Sequence, residues 1–334
     1  MAVQSVSGEN KVGLRPLDPV RDLSQLADLI ECAFGEELTD EGLKVLRELR
    51  LLAVLGPLNV FVIGAQSEIN DLFTGFVWVQ ENRVIGNVTV NRPTGHPKRW
   101  QISNVAVLEA YRRQGIARQL IEAAIDFVLA QGGNATYLYV QEANAPARHL
   151  YESVGFVEMD RLTDLTLNES ILRSRVPLSC LRILNSQEDE QLYKLVLEAD
   201  SVARRWLFPV QRGQYVTTPA ERFSRRIEAF LFGETETHWG MFNGDRLDVG
   251  LVLHTTSGLN RRGHRLKLWV RPRQSQLDQV QYLQIAQDIA AILSRKARRP
   301  AHISLPASES KMIDALARYG FQKRRTLVMM ILNL

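Results

Sequence analysis

The residues whose types and spacing suit chemistry lie between positions 104 and 120, NVAVLEAYRRQGIARQL. A short apolar strand signal, Val105, Ala106 and Val107, runs into a turn. Arg112, Arg113, Gln114, Gly115, Ile116, Ala117 and Arg118 then open a helix, in which Ile116, Leu120, Ile121, Ala124, Phe127 and Val128 recur at helical spacing. Basic side chains, a glycine and a small residue thus fall on the first turn of an amphipathic helix. Unpaired N–H groups and the positive dipole end make such a turn a place for anions. Gly115 lets a phosphate approach the backbone, and Ala117 keeps bulk away from it. The chemistry implied is the holding of a phosphate-bearing cofactor.

The elements that position this turn alternate strand and helix. Val12–Pro16 reads as a strand, Leu23–Phe34 and Asp40–Leu55 as helices, and Val60–Gly64 equally as strand or loop. Phe73–Gln80 and Arg83–Asn91 are strand-like runs on either side of Glu81-Asn82, which suits a hairpin. Ser103–Val107 is the next strand, and the helix Ile116–Gln131 stops at Gly132-Gly133. Thr136–Val140, a helix Ala145–Val154 and a strand Phe156–Leu167 complete the first half. Mixed strands with helices on both faces predict an α/β or α+β three-layer domain.

Periodicity fades around 168–180, which sets a linker at 171–180 between a domain over 1–170 and another over 181–334. The second half repeats the order. It has a strand at Leu181–Leu184, a helix over Glu188–Val202 and a hairpin of Trp239–Asn243 and Leu247–Leu253. Leu266–Val270, a long helix marked by Tyr282 to Leu293, His302–Leu305 and Ile313–Tyr319 follow. YESVGF (Tyr151–Phe156) echoes LARYGF (Leu316–Phe321), so a duplicated domain is the economical reading.

Composition narrows the class. With 45% hydrophobic and 23% charged residues, the chain has the makings of ordinary globular cores. No apolar run reaches the roughly 20 residues that a membrane-crossing helix needs, and the start, MAVQSVSGEN, lacks a secretory pattern. Cys32 and Cys180 alone support neither a disulfide framework nor a thiolate metal site, so no metal is expected. The expectation is a soluble, cytoplasmic protein that does not engage a membrane. Residues 1–174 hold 16 Lys+Arg against 22 Asp+Glu, and residues 175–334 hold 25 against 15. Complementary docking of the halves accounts for this as well as an anionic partner does. No aromatic-basic motif supports nucleic acid as that partner, so none is expected.

Two motifs now stand in order: Arg112-x-x-Gly115-x-Ala117 after the Val105–Val107 strand, then Asn144 with Leu150-Tyr151 and Gly155-Phe156. Over roughly residues 12–167 the chain resembles the GNAT superfamily of acetyl-CoA-dependent N-acetyltransferases. The resemblance implies a fold of two tandem GNAT-like domains, each with a mixed, mostly antiparallel central sheet flanked by helices. It implies acetyl-CoA as co-substrate, with backbone N–H groups from Arg113 to Arg118 on the pyrophosphate and the strand Val105–Val107 beside the pantetheine arm. The Val107 amide would bond the thioester carbonyl, Asn144 would bind the cofactor arm, and Tyr151 would protonate the departing thiolate. On the residues alone, Asn144 reads equally as a helix cap and Tyr151 also as a core aromatic. Glu142 is the only nearby carboxylate for a general base and reads equally as a solvated rim residue; water could also accept the proton. In ribosomal-protein N-terminal acetyltransferases, which this segment also resembles, a Glu lies where this chain has Tyr139, a departure that argues against transferring their substrate.

The second half keeps the core pattern and loses these positions. Asp278 and Val280 fall opposite Gly115 and Ala117, while Glu309 and Leu316 fall opposite Asn144 and Tyr151. A degenerate copy is expected there, serving as scaffold, acceptor wall or homodimer surface. The functional expectation is acetyl transfer to an amine of a small molecule or protein, by direct attack in a ternary complex. The alternative is a non-catalytic acyl-CoA-binding sensor or scaffold.

Overall fold

A computed structural model describes residues 12–35, 40–55, 74–93, 96, 98–168, 176–218, 220–221, 233–257, 263–272, 277–296 and 298–334. The Val60–Gly64 segment and most of the 168–180 linker lie outside the described residues. The chain forms two compact units. One comprises residues 1–140, 144–158 and 330–334; the other comprises 141–143 and 159–329.

The first unit contains β1 (Gly13–Pro16), α1 (Pro19–Phe34), α2 (Asp40–Leu55), β2 (Gly75–Gln80), β3 (Arg83–Asn91) and β4 (Arg99–Val107). After a 3-10 turn at Glu109–Tyr111 come α3 (Ile116–Ala130), β5 (Ala135–Gln141) and α4 (Ala145–Val154). The strands lie in the order β1-β2-β3-β4-β5. Beyond β5 the unit takes in the chain's last residues, where the Leu334 N–H donates to the Asn134 carbonyl at 2.9 Å. The hairpin between β2 and β3 turns where expected, because Glu81 and Asn82 both adopt positive φ, 50° and 61°. That is the geometry two-residue hairpins need.

Apolar positions of α1 and α2 (Leu23, Leu26, Ile30, Leu46, Leu49) pack with Val77, Val79, Val84 and Ala106 of the sheet. Asp18 caps α1 by accepting from the Val20 N–H, with Pro19 at the first helical position. The apolar stripe of α3 (Ile116, Leu120, Ile121, Ala124, Val128) is likewise buried. Gly86 permits its close approach, since a Cβ there would meet Leu120 Cδ1 at 3.0 Å.

After residues 141–143, the second unit takes up Met159–Leu167 of β6 (Val157–Leu167). It continues with β7 (Arg182–Ile183), α5 (Asp189–Ala199), α6 (Val202–Leu207), β8 (Glu234–Asn243), β9 (Arg246–Thr256) and β10 (His264–Val270). Then follow α7 (Gln279–Ser294), β11 (Ala301–Pro306), α8 (Ser310–Arg318) and β12 (Gln322–Asn333), of which residues 322–329 belong here. Its strand order is β12-β6-β11-β10-β9-β8-β7, with β11 antiparallel to β6 and parallel to β10. One core packs α7 and α8 on the sheet, and a second packs Leu192, Leu195 and Val196 of α5 against Leu247, Val252 and Trp269. The helix expected over Glu188–Val202 is in fact two. Asp200 turns extended and Ser201 caps α6 by accepting from the Arg204 N–H, so the chain restarts there.

Candidate active site

Strand β4 parts from its neighbour halfway along. It pairs with β5 at Arg99↔Ala135, Trp100↔Thr136 and Gln101↔Tyr137, and the pairing ends there although both strands continue. At the fork the Tyr137 hydroxyl donates to Gln101 Oε1 at 3.3 Å, and burial pushes that phenol above its ordinary range. On the other side β4 stays bonded to β3, through Thr89↔Ser103 and, after a register shift, Asn87↔Ala106 and Gly86↔Val107. The expected Ser103–Val107 strand is therefore the far part of a longer one, and its β5-facing edge is left open around Val105, Ala106 and Val107.

Beyond Val107 the backbone turns through two left-handed residues, Arg113 (φ 62°) and Gly115 (φ 77°). The sequence places Arg112 to Ala117 on the first helical turn. In the structure α3 begins at Ile116, and residues 112–115 form a separate exposed loop, because left-handed residues cannot sit in a right-handed helix. The first helical bond of α3 runs from the Gln119 N–H to the Gly115 carbonyl at 3.1 Å. The N–H groups of Ile116, Ala117 and Arg118 precede it, and no side chain caps them. A Cβ on Gly115 would meet only Gln119 Nε2, at 3.9 Å, so the space above the turn is open. The side chain of Ile116 is buried, which leaves only its backbone available.

The cations here have separate tasks. Arg112 Nε donates to the Val107 carbonyl at 3.2 Å and ties the loop to the end of β4. Arg118 Nη2 donates to Ser153 Oγ at 2.6 Å and joins the first turn of α3 to α4. Arg113 is exposed. Asn144 caps α4, its Oδ1 accepting from the Ala147 N–H at 3.2 Å. Tyr151 sits on α4 with its ring buried edge-on to Phe156, centroids 5.9 Å apart, and burial pushes its hydroxyl up to about 12. Glu142 accepts from Arg161 at 2.6 Å within the other unit, so this carboxylate is already engaged.

Sequence reasoning passed over a polar group beside the fork. Asn104 in β4 has φ 50°, and Asn87 Nδ2 donates to its carbonyl at 3.0 Å. Thr89 Oγ1 accepts from Asn87 Nδ2 and Asn104 Nδ2, each at 3.3 Å. The available signal was an asparagine inside a strand, the side chain that most readily accepts a left-handed backbone.

The helix α7, which opens the corresponding turn of the second unit, is built differently. Asp278 Oδ1 accepts from the Gln281 N–H at 2.7 Å while Gln281 Oε1 accepts from the Asp278 N–H at 2.9 Å. The box thus takes up the N–H groups of Asp278 and Gln281. Glu309 makes no capping bond to α8, burial pushes its carboxyl up, and Leu316 is fully buried.

The first unit thus brings together an open strand edge, a glycine-led helix start with uncapped donors and a buried tyrosine on the next helix. Residues 26–156 match the acetyltransferase (GNAT) family. Over 71 residues the chain is 38% identical to N-alpha-acetyltransferase 30 of Saccharomyces cerevisiae, covering 21% of this chain and 40% of that protein. It is 33% identical to the Schizosaccharomyces pombe protein of the same name over 95 residues, 28% of this chain and 63% of that one. Against [Ribosomal protein bS18]-alanine N-acetyltransferase of Escherichia coli K12 it is 46% identical over 55 residues, 16% and 37% of the two chains. The matches thus span less than two thirds of these relatives' lengths.

In fold, the chain is similar to a GCN5-related N-acetyltransferase from Sphaerobacter thermophilus, with TM-score 0.62 and 14% identity, covering 96% of this chain and 95% of that one. It is also similar to a tandem GNAT protein from the clavulanic acid biosynthesis pathway, with TM-score 0.52 and 17% identity, covering 97% and 98%. Residues 26–156 are thus similar to the GNAT family, and the chain has the fold of tandem GNAT proteins. Among the described residues no helix is long and apolar enough to cross a membrane.

Proposed function

We propose that the first unit holds acetyl-CoA and transfers its acetyl group directly to an amine. The observation that carries this reading is the parting of β4 from β5 beside a helix start whose donors are uncapped. The N–H groups from Arg113 to Arg118, with the Arg113 side chain, suit a diphosphate: they are donors on an exposed, cationic turn with open space above Gly115. The free edge of Val105–Val107 suits an extended amide-bearing arm, received as an added strand. Asn144, already capping α4, has a second oxygen lone pair and two N–H donors left for that arm.

Acetyl-CoA supplies a thioester-activated acetyl group. The Val107 N–H polarises its carbonyl. Tyr151, held protonated by burial, is positioned on α4 as the acid for the departing sulfur. An amine needs only to arrive deprotonated, and with Glu142 bound to Arg161 the proton goes to solvent or to the buffer. The named relatives support an amine on a protein as the acceptor class, with a small-molecule amine as the other candidate. Residues 1–170 would then form the catalytic domain, and 181–334 a copy that no longer binds the co-substrate. A homodimer through that second domain and a cytoplasmic location complete the proposal.

The test is calorimetry with coenzyme A, followed by acetyl-CoA turnover on a panel of peptides and small amines, read by free thiol. Micromolar binding with turnover on at least one class supports the reading. No binding overturns it, and tight binding without turnover across the panel favours a sensor.

A further inference from the structure

We propose that Asn87 is a positioning residue, a latch from β3 that holds the β4 bulge at Asn104 and thereby fixes the direction of the amides up to Val107. This rests on the acetyl-CoA reading above. Asn87 is fully buried, on the side of β3 that faces Ala106 and the α1–α2 core. Apolar neighbours would favour a valine or leucine there. The amide is retained although its Oδ1 has no partner among the described residues, a penalty that an apolar side chain avoids. What the amide does is specific: Nδ2 donates to the Asn104 carbonyl at 3.0 Å and to Thr89 Oγ1 at 3.3 Å, and Asn104 Nδ2 meets the same oxygen at 3.3 Å.

The location gives the bond its consequence. Asn104 is left-handed, φ 50°, where an ordinary strand residue is not. The β3–β4 register shifts between Asn87 and Thr89, so an irregularity lies at the latch itself. It also falls after the last β4–β5 pair, Gln101↔Tyr137, and before the open segment 105–107. A bulge at that point re-aims the strand that follows. Without the latch, Asn104 can relax to an extended backbone and slide the register, which turns the Val107 N–H away from the opening. The pyrophosphate turn is untouched, because Arg113 and Gly115 carry their own geometry.

The experiment compares the full-length wild type with N87L and with N87L/N104G, since glycine adopts the left-handed conformation without help. Coenzyme A affinity is read by calorimetry, and the infrared carbonyl band of bound acetyl-CoA carrying a labelled carbonyl carbon reports the hydrogen bond at Val107. Wild type should shift that band to lower wavenumber. N87L should bind coenzyme A within about threefold of wild type and lose the shift, and N87L/N104G should regain it. If N87L fails to fold, N87D, which keeps the shape and removes the donors, is read in the same way. A band shift that persists in the folded variant overturns the latch. Absence of coenzyme A binding by wild type overturns the function proposed for the site instead.

Discussion

Replacing Gly115 with alanine separates a structural role of this glycine from one in holding phosphate. The residue sits at φ 77°, and an added Cβ meets nothing nearer than Gln119 Nε2 at 3.9 Å. Steric conflict within the protein is therefore absent, and the stability cost is the backbone's alone. That cost is about 1–2 kcal/mol for an L-residue in the left-handed region. In a domain of this size it corresponds to a fall in Tm of about 2–8 °C. The methyl group would stand in the space above the turn where a phosphate oxygen must approach the N–H groups of Ile116 and Ala117.

Losing one charge-assisted hydrogen bond there costs about 1.5–3 kcal/mol, or roughly 10- to 150-fold in affinity. Gly115→Asn is the control, because asparagine tolerates the left-handed backbone and should keep most of the stability while still obstructing the ligand. Thermal unfolding with and without coenzyme A, alongside calorimetry, reads both effects. Wild type should gain stability with ligand, and both variants should gain much less. If G115A and G115N bind coenzyme A as tightly as wild type, the turn is not the phosphate site.

Tyr151→Phe should leave coenzyme A affinity unchanged and lower turnover by about a hundredfold or more. With the phenol pushed up to about 12, no alkaline limb of the rate below pH 11 belongs to it, so any such limb should be the same in both proteins. In the second unit, burial works to lower the pKa of His238, but its hydrogen bonds to Asp189 (2.8 Å) and Glu236 (3.1 Å) outweigh this and hold it at about 9. Because the folded value exceeds the unfolded one, near 6.5, the stabilisation is whole below pH 6.5. It drains as pH rises towards 9, by at most about 3 kcal/mol; urea midpoints across pH 6–9.5 should fall for wild type and stay flat for H238Q. Asp278→Ala should cost about 1 kcal/mol through loss of the α7 cap and leave coenzyme A affinity unaltered; a loss of affinity would place the co-substrate in the wrong half.

Local chemistry made much of the fold legible. The boundaries of α2 and α4 follow from helical periodicity and, for α4, from the Asn144 cap and the glycine at 155. Glu81-Asn82 announces its hairpin because both residues accept positive φ. Where periodicity was the guide but capping decided the outcome, the reading ran on: Asp200-Ser201 ends one helix and starts another inside an unbroken apolar pattern. Strand β12 went unread because QKRRTLVMMILN lacks an apolar–polar alternation, although Gly320, at φ 94°, marks the turn before it. The placement of residues 330–334 in the first unit is a long-range pairing that no local pattern encodes. At the site, the turn was visible as residue types. The bulge that aims β4 was not, since it depends on Asn87, 17 positions before Asn104, reaching across from a neighbouring strand.

The two helix starts show why residue types at this one turn carry so much meaning. Every helix leaves its first N–H groups without an internal partner. At α7 the chain answers with its own carboxylate, and Asp278 both takes a donor and sets a negative charge at the turn. A phosphate brought within about 4 Å of that charge would meet repulsion of some 4 kcal/mol per unit charge at a partly solvated surface. At α3 the same need is left open: Gly115 has no side chain to offer, and the first turn carries no acidic residue. Self-capping at α7 occupies the Gln281 N–H and sets a carboxylate at the turn, whereas the glycine start of α3 leaves its donors exposed and spends a left-handed residue to do so. On the function proposed above, the turn left open at α3 is the anion site, and its position beside the open edge of β4 suits a phosphate-bearing acyl carrier, which would use both.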